Sequence, residues 1–423
     1  MKKVVRIARG RKVKAMPAQV LAALPEGGEV ESLVEVIQAL IPLGLVAVEE
    51  ALSREVRRLA GERYQRQGRP PGRVRWGSQR GSVYLLDQKV PVQVPRVRDR
   101  RRPCEIPLET YTRLQEPRHG DAGLLRRVLL GLSTRRYEEC AEAVPEAFGL
   151  SPSTVSRRFI RASARKLQQF AERRLERYDF VALFLDGKTF AEDELVVALG
   201  ITLRGEKVVL GFVQTATENE AVSTAFLQQL VARGLRWEPG LLCVIDGAKG
   251  LRAAIRRVFG PAALVQRCQW HKRENVLRHL PKTQHLRWRR KLQAAYEQAT
   301  YADAKAALSV LQRTLRPLNL SAAESLAEGL EETLTLHRLG LFSQLGQSLK
   351  TTNCIESLLA QVGQRTDKVD RWINSEQKQR WVATALLDIE PRLRRIRGYR
   401  FLPQLRTALV IHQQQRTRTQ EVA

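Results

Sequence analysis

The chain has 423 residues, of which 43% are hydrophobic, and a formal net charge of +28 from 72 Lys+Arg against 44 Asp+Glu. This length allows two or three domains with a substantial core, and the hydrophobic content is that of a folded protein rather than a disordered one. The basic excess favours a nucleic acid as partner, because each phosphate that a basic side chain neutralises releases a counterion.

The chain has no segment suited to crossing a membrane. Its longest apolar stretch, around Leu40 to Val48, is interrupted by Pro42 and Gly44, whereas a span needs about 20 apolar residues. The cysteines are odd in number and scattered, which suits a reducing compartment rather than a disulfide framework: Cys104, Cys140, Cys243, Cys268 and Cys354. These features predict a soluble cytoplasmic protein without a membrane partner.

The N-terminal part of the chain predicts a helical region followed by a DNA-binding region. Residues 1–50 are expected to be helical, with an apolar stretch at Val30–Leu45. Residues 51–177 form the predicted DNA-binding region, which opens with 15 basic and 4 acidic residues between Ala51 and Arg102. The alternating apolar pattern of Ser82–Val97 indicates short paired strands, and arginines beside them would bind phosphates.

Successive helices are predicted for residues 121–177, including a helix-turn-helix at 134–163. After a turn at Gly149, Ser151 and Pro152 form a good start for its second helix. In this motif the second helix enters a DNA groove, and here it would present Ser153, Thr154, Ser156, Arg157 and Arg158. An ordinary helical hairpin with solvated arginines is the alternative; the net charge favours DNA binding.

From about residue 178 the pattern changes to short apolar strands. Strands are predicted at FVALFLD (180–186), LVVALGITL (195–203), KVVLGFVQTA (207–216), LLCVID (241–246) and ALVQRC (263–268). Helices separate the third from the fourth strand and the fourth from the fifth. Polar helices then continue to about Gln347, and more helices run to the end. The prediction is an α/β domain with a mixed five-stranded sheet, interrupted by an all-helical segment.

Two aspartates directly follow apolar strands and precede glycines: Asp186 in LDGK and Asp246 in IDGAKG. Open α/β sheets carry their sites at the carboxyl ends of strands, so these side chains are expected to converge. Two carboxylates on neighbouring strands would repel each other unless a cation lay between them, and hard oxygen ligands select Mg²⁺ or Mn²⁺. A strand-end Asp-Gly is also a common turn, so neither aspartate is decisive alone.

A third carboxylate would complete such a site. Glu356 lies in TTNCIESLLA, where Thr352 or Asn353 can cap a helix and place the glutamate in its first turn. The alternative role for Glu356 is to complement the helix dipole. Other candidates for the third ligand are Glu192, Asp193, Glu218 and Glu220, and spacing does not choose among them.

Further side chains near these aspartates have candidate roles. Cys268 and His271 form a C-x-x-H pair, which lacks the two further ligands of a zinc site; a buried strand end is the other interpretation of Cys268. Basic side chains that could grip a scissile phosphate are Lys249, Lys272 and Arg273. Trp270 and Trp372 could stack on unpaired bases, with core packing as the alternative.

Six blocks carry a resemblance to a known family: QKVPVQVPRVRDR (88–100), LDGKTF (185–190), TATENEA (215–221), VIDGAKGLRAAI (244–255), RCQWHKRENV (267–276) and TTNCIES (351–357). In this order, over nearly the whole chain, they resemble the signature blocks of Mutator-type DDE transposases of bacterial insertion sequences. The resemblance implies a ribonuclease H-like catalytic domain with Asp186, Asp246 and Glu356 as catalytic and metal-binding triad. The choice of Glu356 rests on the resemblance. Active-site support is expected from Cys268, His271 and Lys249.

The implied catalytic domain comprises residues 178–269 and 348–390, with a helical insertion at 270–347 and a basic tail at 391–423. The implied reaction is phosphoryl transfer with two Mg²⁺ or Mn²⁺ ions: hydrolysis frees a 3′-hydroxyl at a transposon end, and this hydroxyl attacks target DNA. The partner is then double-stranded DNA, and pairing two ends predicts at least a dimer. The alternatives are a catalytically inactive, domesticated transposase that acts as a DNA-binding regulator, and a metal-dependent nuclease or resolvase without strand transfer.

Overall fold

The computed structural model describes residues 30–65, 70–85, 88–102, 104–116, 120–140, 148–216 and 219–421. The chain divides into two compact units, Met1–Ala162 and Ser163–Ala423. The predicted features at 1–29 and the candidate ligand Glu218 lie outside the described residues. Of the helices within the described ranges, none is long and apolar enough to serve as a membrane span.

The first unit is built on a β-hairpin that packs against a long helix. Helix α1 (Val30–Ala60) is followed by the antiparallel strands β1 (Arg73–Leu85) and β2 (Gln88–Asp99), and the short β3 (Cys104–Ile106) pairs with β2. Valines at alternate positions of β2 bury one face of the hairpin against apolar side chains of α1: Val92 and Val94 pack with Leu52 and Val56. The predicted paired strands are confirmed and are longer than the alternating stretch suggested.

Helices α2 (Glu109–Leu114), α3 (Gly120–Leu129) and α4 (Pro152–Ala171) follow. Helix α4 begins at Pro152, as predicted. The α-helix predicted to precede it is wrong for residues 134–140, which form turns and one 3₁₀ turn, and 141–147 lie outside the described residues. A tertiary contact explains the difference: Tyr137 is fully buried, and its hydroxyl accepts a hydrogen bond from Arg127 of α3.

The second unit contains a mixed five-stranded sheet. Its elements are β4 (Phe180–Phe190), β5 (Asp193–Thr202), β6 (Lys207–Thr215), α5 (Glu220–Ala232), β7 (Leu241–Ile245), α6 (Lys249–Phe259) and β8 (Ala263–Arg267). The strand order is β6-β5-β4-β7-β8, with β4, β5 and β6 antiparallel and with β4, β7 and β8 parallel. The predicted series of strands and helices and the mixed sheet are confirmed.

The sheet core explains the continuous apolar runs in its strands. Every residue of β4 from 180 to 186 is buried, because both faces of the central strands are covered. Helices α5 and α6 pack on one face, where Phe226, Leu230 and Ile255 join Leu183 and Cys243 in one cluster. The sheet therefore provides a rigid platform for side chains at its edge.

Residues 269–349, all of them described, form helices joined by turns and contain no strand. They form α7 (Gln269–Arg278), α8 (His285–Tyr296), α9 (Tyr301–Leu315), α10 (Leu320–Ala327), α11 (Leu330–Thr333), α12 (Thr335–Arg338) and α13 (Phe342–Leu349). Helices α7 to α10 share a core of their own, in which Trp288 and Leu292 pack with Leu308 and Leu326. Three helices complete the unit: α14 (Asn353–Thr366), α15 (Ser375–Ile389) and α16 (Leu402–Glu421).

The last helix is anchored to the sheet domain. Leu402, Leu405 and Leu409 are buried. Arg406 forms an ion pair with Asp179 at 2.6 Å and donates to the backbone carbonyl of Phe180. Residues 402–409, which the sequence assigns to a basic tail, are therefore packed parts of the second unit.

A half-buried ion pair joins the end of α15 to the sheet. The guanidinium of Arg173 donates two hydrogen bonds of 2.7 Å to the carboxylate of Glu390, which also accepts from the backbone N–H of Val209. Both charged side chains are 15% exposed. Arg173 also lies close enough to Arg233 to lower the pKa of that residue, together with the larger effect of burial.

We therefore expect Glu390→Ala to lower the free energy of unfolding by about 2 kcal/mol, because it leaves Arg173 without its carboxylate and the Val209 N–H without an acceptor. Urea unfolding followed by circular dichroism measures this change. Glu324→Ala, at an exposed position of α10, is the matched control and should change stability little. Equal stability of the two variants would contradict the prediction.

Candidate active site

The register of the parallel strands brings two aspartates to the same edge of the sheet. The last parallel pair between β4 and β7 joins Phe184 to Val244. Continuing this register by two residues puts Asp186 beside Asp246, and neighbouring strands lie about 4.8 Å apart. Asp186 is only 6% exposed. The extended register therefore puts the two aspartates next to each other at this end of the sheet, and their convergence as metal ligands stays a prediction.

The two aspartates differ in their local structure. Asp246 follows the last residue of β7, and its Oδ1 accepts a hydrogen bond from the backbone N–H of Ala248 at 2.9 Å. Gly247 has a φ of +115°, and a Cβ there would lie 2.1 Å from Nε of Arg267, so only glycine fits this turn.

The predicted strand end at Asp186 is wrong. Strand β4 continues to Phe190, and Asp186 pairs with Val197 of β5. Strand β4 extends beyond the end of β7 because it continues to form backbone hydrogen bonds with β5 in the antiparallel hairpin. Asp186 is therefore held by regular backbone pairing on one side, while its other side faces the end of β7.

Cys268 occupies the next position along the same edge. Ile245 pairs with Arg267 in the parallel register of β7 and β8, and the backbone N–H of Cys268 donates to the carbonyl of Ile245 at 2.7 Å. Cys268 is fully buried and is the N-cap of α7, where its Sγ accepts from the backbone N–H of His271. The interpretation of Cys268 as a buried strand-end residue is confirmed.

Thr352 connects Cys268 to Glu356. Its backbone N–H and Oγ1 lie 3.4 and 3.3 Å from Sγ of Cys268, and its Oγ1 donates to Oε1 of Glu356 at 2.5 Å. Thr352 is fully buried. It holds the N-cap position of α14, but its side chain makes no capping bond to the backbone, so the predicted capping role is wrong for Thr352. Its hydroxyl binds the glutamate one helical turn later instead.

Sequence reasoning missed this role of Thr352. The sequence contains one signal for this role: a hydroxyl residue lies four positions before a glutamate at a helix start. This spacing places the two side chains on one face of the helix. The same spacing occurs at many ordinary helix starts, so it indicates a role in the site only when the contact of Thr352 with Cys268 is known.

His271 lies between the sheet edge and α14. Its Nδ1 is 3.3 Å from Oγ1 of Thr352 and 4.0 Å from Oε1 of Glu356. The hydrogen bond with Cys268 raises the pKa of His271 against the lowering effect of burial, and the charges of Glu356 and Asp246 raise it further. Burial would raise the pKa of Cys268, but hydrogen bonds from His271 and Thr352 outweigh it and bring that pKa below its usual value. The pKa of His271 is thus raised by a carboxylate that follows β7 and by one on α14.

The three predicted carboxylates do not form a ready-made ligand set. Within the described ranges, no three His, Cys, Asp or Glu side chains are arranged so that they could hold a metal ion. Glu356 instead remains bonded to Thr352. The chemistry of the donors nevertheless fits a hard divalent cation, because carboxylate oxygens are its preferred ligands and two of them stand at one sheet edge.

Two of the other candidate carboxylates form ion pairs with basic side chains. Asp193 pairs with Lys378 at 2.6 Å and lies opposite Phe190, four residues or roughly 13 Å along β4 from Asp186. Glu192 is exposed in the adjoining turn. Glu220 forms an ion pair with Arg257 at 3.1 Å. Glu356, by contrast, is linked through Thr352 to the buried Cys268 that follows β8, and Glu218 lies outside the described residues.

The predicted phosphate-gripping side chains fall into two groups. Lys249 is exposed at the first position of α6, three residues after Asp246, and Arg273 is half-buried on α7. Lys272 is fully buried, and its Nζ donates to the carbonyls of Ser325 and Glu328 at the end of α10. Lys272 is therefore not available as a DNA contact, because its ammonium group binds carbonyls inside the protein.

The predicted DNA-binding residues of α4 also differ in exposure. Ser153 and Arg157 are exposed, and Thr154 and Ser156 are half-buried. Arg158 is buried and pairs with Asp121 of α3 at 3.1 Å. Arg158 is therefore not available to contact a DNA groove, because its guanidinium forms an internal ion pair.

Comparison with known proteins finds a matching family model and several relatives. A family model described as Transposase, Mutator family, matches residues 24–394. The transposase for insertion sequence element IS905 of Lactococcus lactis subsp. lactis (strain IL1403) is 28% identical over 353 residues, which cover 81% of this chain and 86% of that protein. The transposase for ISRM5 of Rhizobium meliloti (strain 1021) is 30% identical over 304 residues, 68% of this chain and 72% of that protein.

A third relative, the transposase for insertion sequence element IST2 of Acidithiobacillus ferrooxidans, is 30% identical over 238 residues, 54% of this chain and 78% of that protein. The family match runs from α1 to the segment between α15 and α16, so it includes both aspartates, the C-x-x-H pair and Glu356. The chain therefore belongs to the Mutator family of transposases.

Proposed function

We propose that this chain is a DNA transposase that cleaves the ends of an insertion element and joins the freed 3′-hydroxyl to target DNA. The observation that carries the proposal is the strand register that sets Asp186 beside Asp246, with Glu356 linked to the same sheet edge through Thr352 and Cys268. Family membership supports the reaction class, since the relatives are transposases of insertion sequences.

The proposed metal ligands are Asp186, Asp246 and Glu356, and the proposed cofactor is Mg²⁺ or Mn²⁺, two ions per site. When bound, such ions activate the attacking hydroxyl and stabilise the leaving oxygen of an in-line displacement. Asp186 and Asp246 supply negative charge from a rigid sheet edge. Glu356 lies on a separate helix, so the approach of α14 to the sheet sets its distance from the aspartates.

The neighbouring side chains would support this chemistry. Cys268 and Thr352 hold the start of α14 against the end of β8 and orient the carboxylate of Glu356. His271, with its raised pKa, would offset negative charge from Glu356 and Asp246. Lys249 and Arg273 are the proposed phosphate contacts near the site, and Ser153, Thr154, Ser156 and Arg157 those of α4.

We further propose that the sheet domain is ribonuclease H-like and that residues 270–347 are a helical insertion in it. The mixed five-stranded sheet and the separate core of the helices support this proposal. The catalytic domain would then comprise residues 178–269 and 348–390, and the preceding basic region 51–177 would bind element ends. Synapsis of two ends would require at least a dimer on DNA.

The proposal is tested with the terminal DNA of the encoding insertion element as a labelled duplex and a supercoiled plasmid as target. The wild type should cleave the duplex and join it to the plasmid in Mg²⁺ or Mn²⁺, and EDTA should abolish both reactions. Lys249→Ala should weaken cleavage by about tenfold, because one phosphate contact is lost, while Lys282→Ala at an exposed position of the helical segment should not.

Each alternative function gives a different result. Binding of the duplex without cleavage under either metal would overturn the proposal in favour of a DNA-binding regulator. Cleavage without joined products would favour a nuclease or resolvase. Cleavage that persists in EDTA would exclude the proposed metal-dependent site.

A further inference from the structure

A pocket adjoins the candidate active site in the second unit. It has a volume of ≈ 570 Å³, and its walls come from α7, α8, α13 and the start of α14. Trp270 lines it directly before His271, and Thr351 and Asn353 line it on either side of Thr352. The pocket therefore opens beside the two helix starts that carry His271 and Glu356.

The walls combine an aromatic ring, cations and amide groups. The residue Trp270 is 41% exposed, and its ring meets that of His271 edge-on at 4.8 Å. Arg273 donates from Nη1 to Gln293 at 3.2 Å, and its Nε is buried without a hydrogen-bond partner among the described residues. Lys350 forms an ion pair with Glu297 at 2.5 Å.

These features match the parts of a nucleotide. Every base has a π-face that stacks on an aromatic ring without sequence preference. The N-termini of α7 and α14 carry partial positive charge that favours a phosphate, and Arg273 adds a full charge. Pockets of about 300–1,000 Å³ suit small ligands. Amide side chains at the wall can hydrogen-bond a base edge once the base has left the duplex stack.

We propose that this pocket binds one unpaired nucleotide of the DNA strand next to the bond that is cut, with its base stacked on Trp270. The inference rests on the proposed function for the presence of DNA at the neighbouring carboxylates. Removing one base from the duplex would free the adjacent phosphate to approach Asp186, Asp246 and Glu356, so the pocket would position the scissile bond.

The test compares intact element-end duplexes with duplexes that carry one abasic site at successive positions around the cleaved bond, all bound in EDTA. Trp270→Ala should weaken binding of the intact duplex by about tenfold. At one position the abasic duplex should bind equally well to the wild type and to Trp270→Ala, because there is no base to stack. Trp270→Phe should retain most of the affinity, and Leu318→Ala, at an exposed apolar position outside the pocket, all of it.

A short single-stranded oligonucleotide measures the stacking without recognition of an element end. Trp270→Ala should bind it about tenfold more weakly than the wild type. Equal binding of the single strand by both proteins, or an equal loss for intact and abasic duplexes at every position, would overturn the pocket proposal. Failure of the wild type to bind element ends, with the single-strand difference retained, would instead overturn the proposed function.

Discussion

Asp186→Asn and Asp246→Asn are each expected to lower the cleavage rate by about a thousandfold or more, which corresponds to ~4 kcal/mol of lost transition-state stabilisation. Each substitution keeps the shape of the side chain and removes one of the two charges that the register of β4 and β7, extended by two residues, puts next to each other. Folding and DNA binding should survive, because the sheet core does not depend on these charges. Single-turnover cleavage of an element-end duplex measures the loss.

Metal binding gives a readout that does not depend on activity. A ligand that binds only the folded state raises its stability with concentration, so Mg²⁺ or Mn²⁺ should raise the melting temperature of the wild type. The two variants should show a much smaller rise. Asp370→Asn, at an exposed position after α14, should behave as the wild type in both assays. An active Asp186→Asn or Asp246→Asn variant would contradict the proposed site.

Glu356→Gln distinguishes the third ligand from its alternatives. If Glu356 binds metal, the variant should lose cleavage as completely as the aspartate variants do. An active Glu356→Gln would leave Glu218 as the next carboxylate to replace. Because Thr352 donates to Glu356, the amide of the variant can still accept that hydrogen bond, so a loss of activity would not reflect a released helix start.

The free energy of unfolding is expected to rise by about 3 kcal/mol between pH 7 and pH 10.5 because of Lys272. Burial is the main cause that lowers the pKa of Lys272, to about 8. Between pH 8 and 10.5 the unfolded chain keeps this lysine protonated while the folded chain does not. The unfolded state therefore binds more protons in that range, and stability increases with pH. Below pH 8 both states are protonated, and the contribution is constant.

Urea unfolding of the wild type and Lys272→Met at several pH values isolates this contribution from other titrating groups. The stability of the wild type relative to Lys272→Met should increase from pH 8 to pH 10. Lys282→Met, which alters an exposed lysine, should follow the wild type throughout. A constant difference between wild type and Lys272→Met would show that the buried amine does not titrate in this range.

The sequence alone predicted the strands and their order along the chain, and it supplied the two aspartates of the proposed site. Apolar runs such as 180–185 and 241–245 are recognisable because strands that are buried on both faces have to be apolar throughout. Asp186 and Asp246 are conspicuous because charged residues directly follow those runs. The paired basic strands near the N-terminus followed from alternation with a period of two residues.

Only the tertiary structure decided how distant segments meet. The same local signal, an apolar run followed by Asp-Gly, ends a strand at Asp246 but not at Asp186, because β5 continues to pair with β4 there. Lys272 and Arg158 cannot be told from exposed basic residues by their sequence. In the folded chain both are buried: Lys272 donates to carbonyls at the end of α10, and Arg158 pairs with the carboxylate of Asp121. Likewise, only the folded chain brings Thr352, which donates to Glu356, against Cys268, 84 positions earlier. Sequence patterns record burial and local conformation, whereas contacts between residues far apart in the chain depend on how the elements pack.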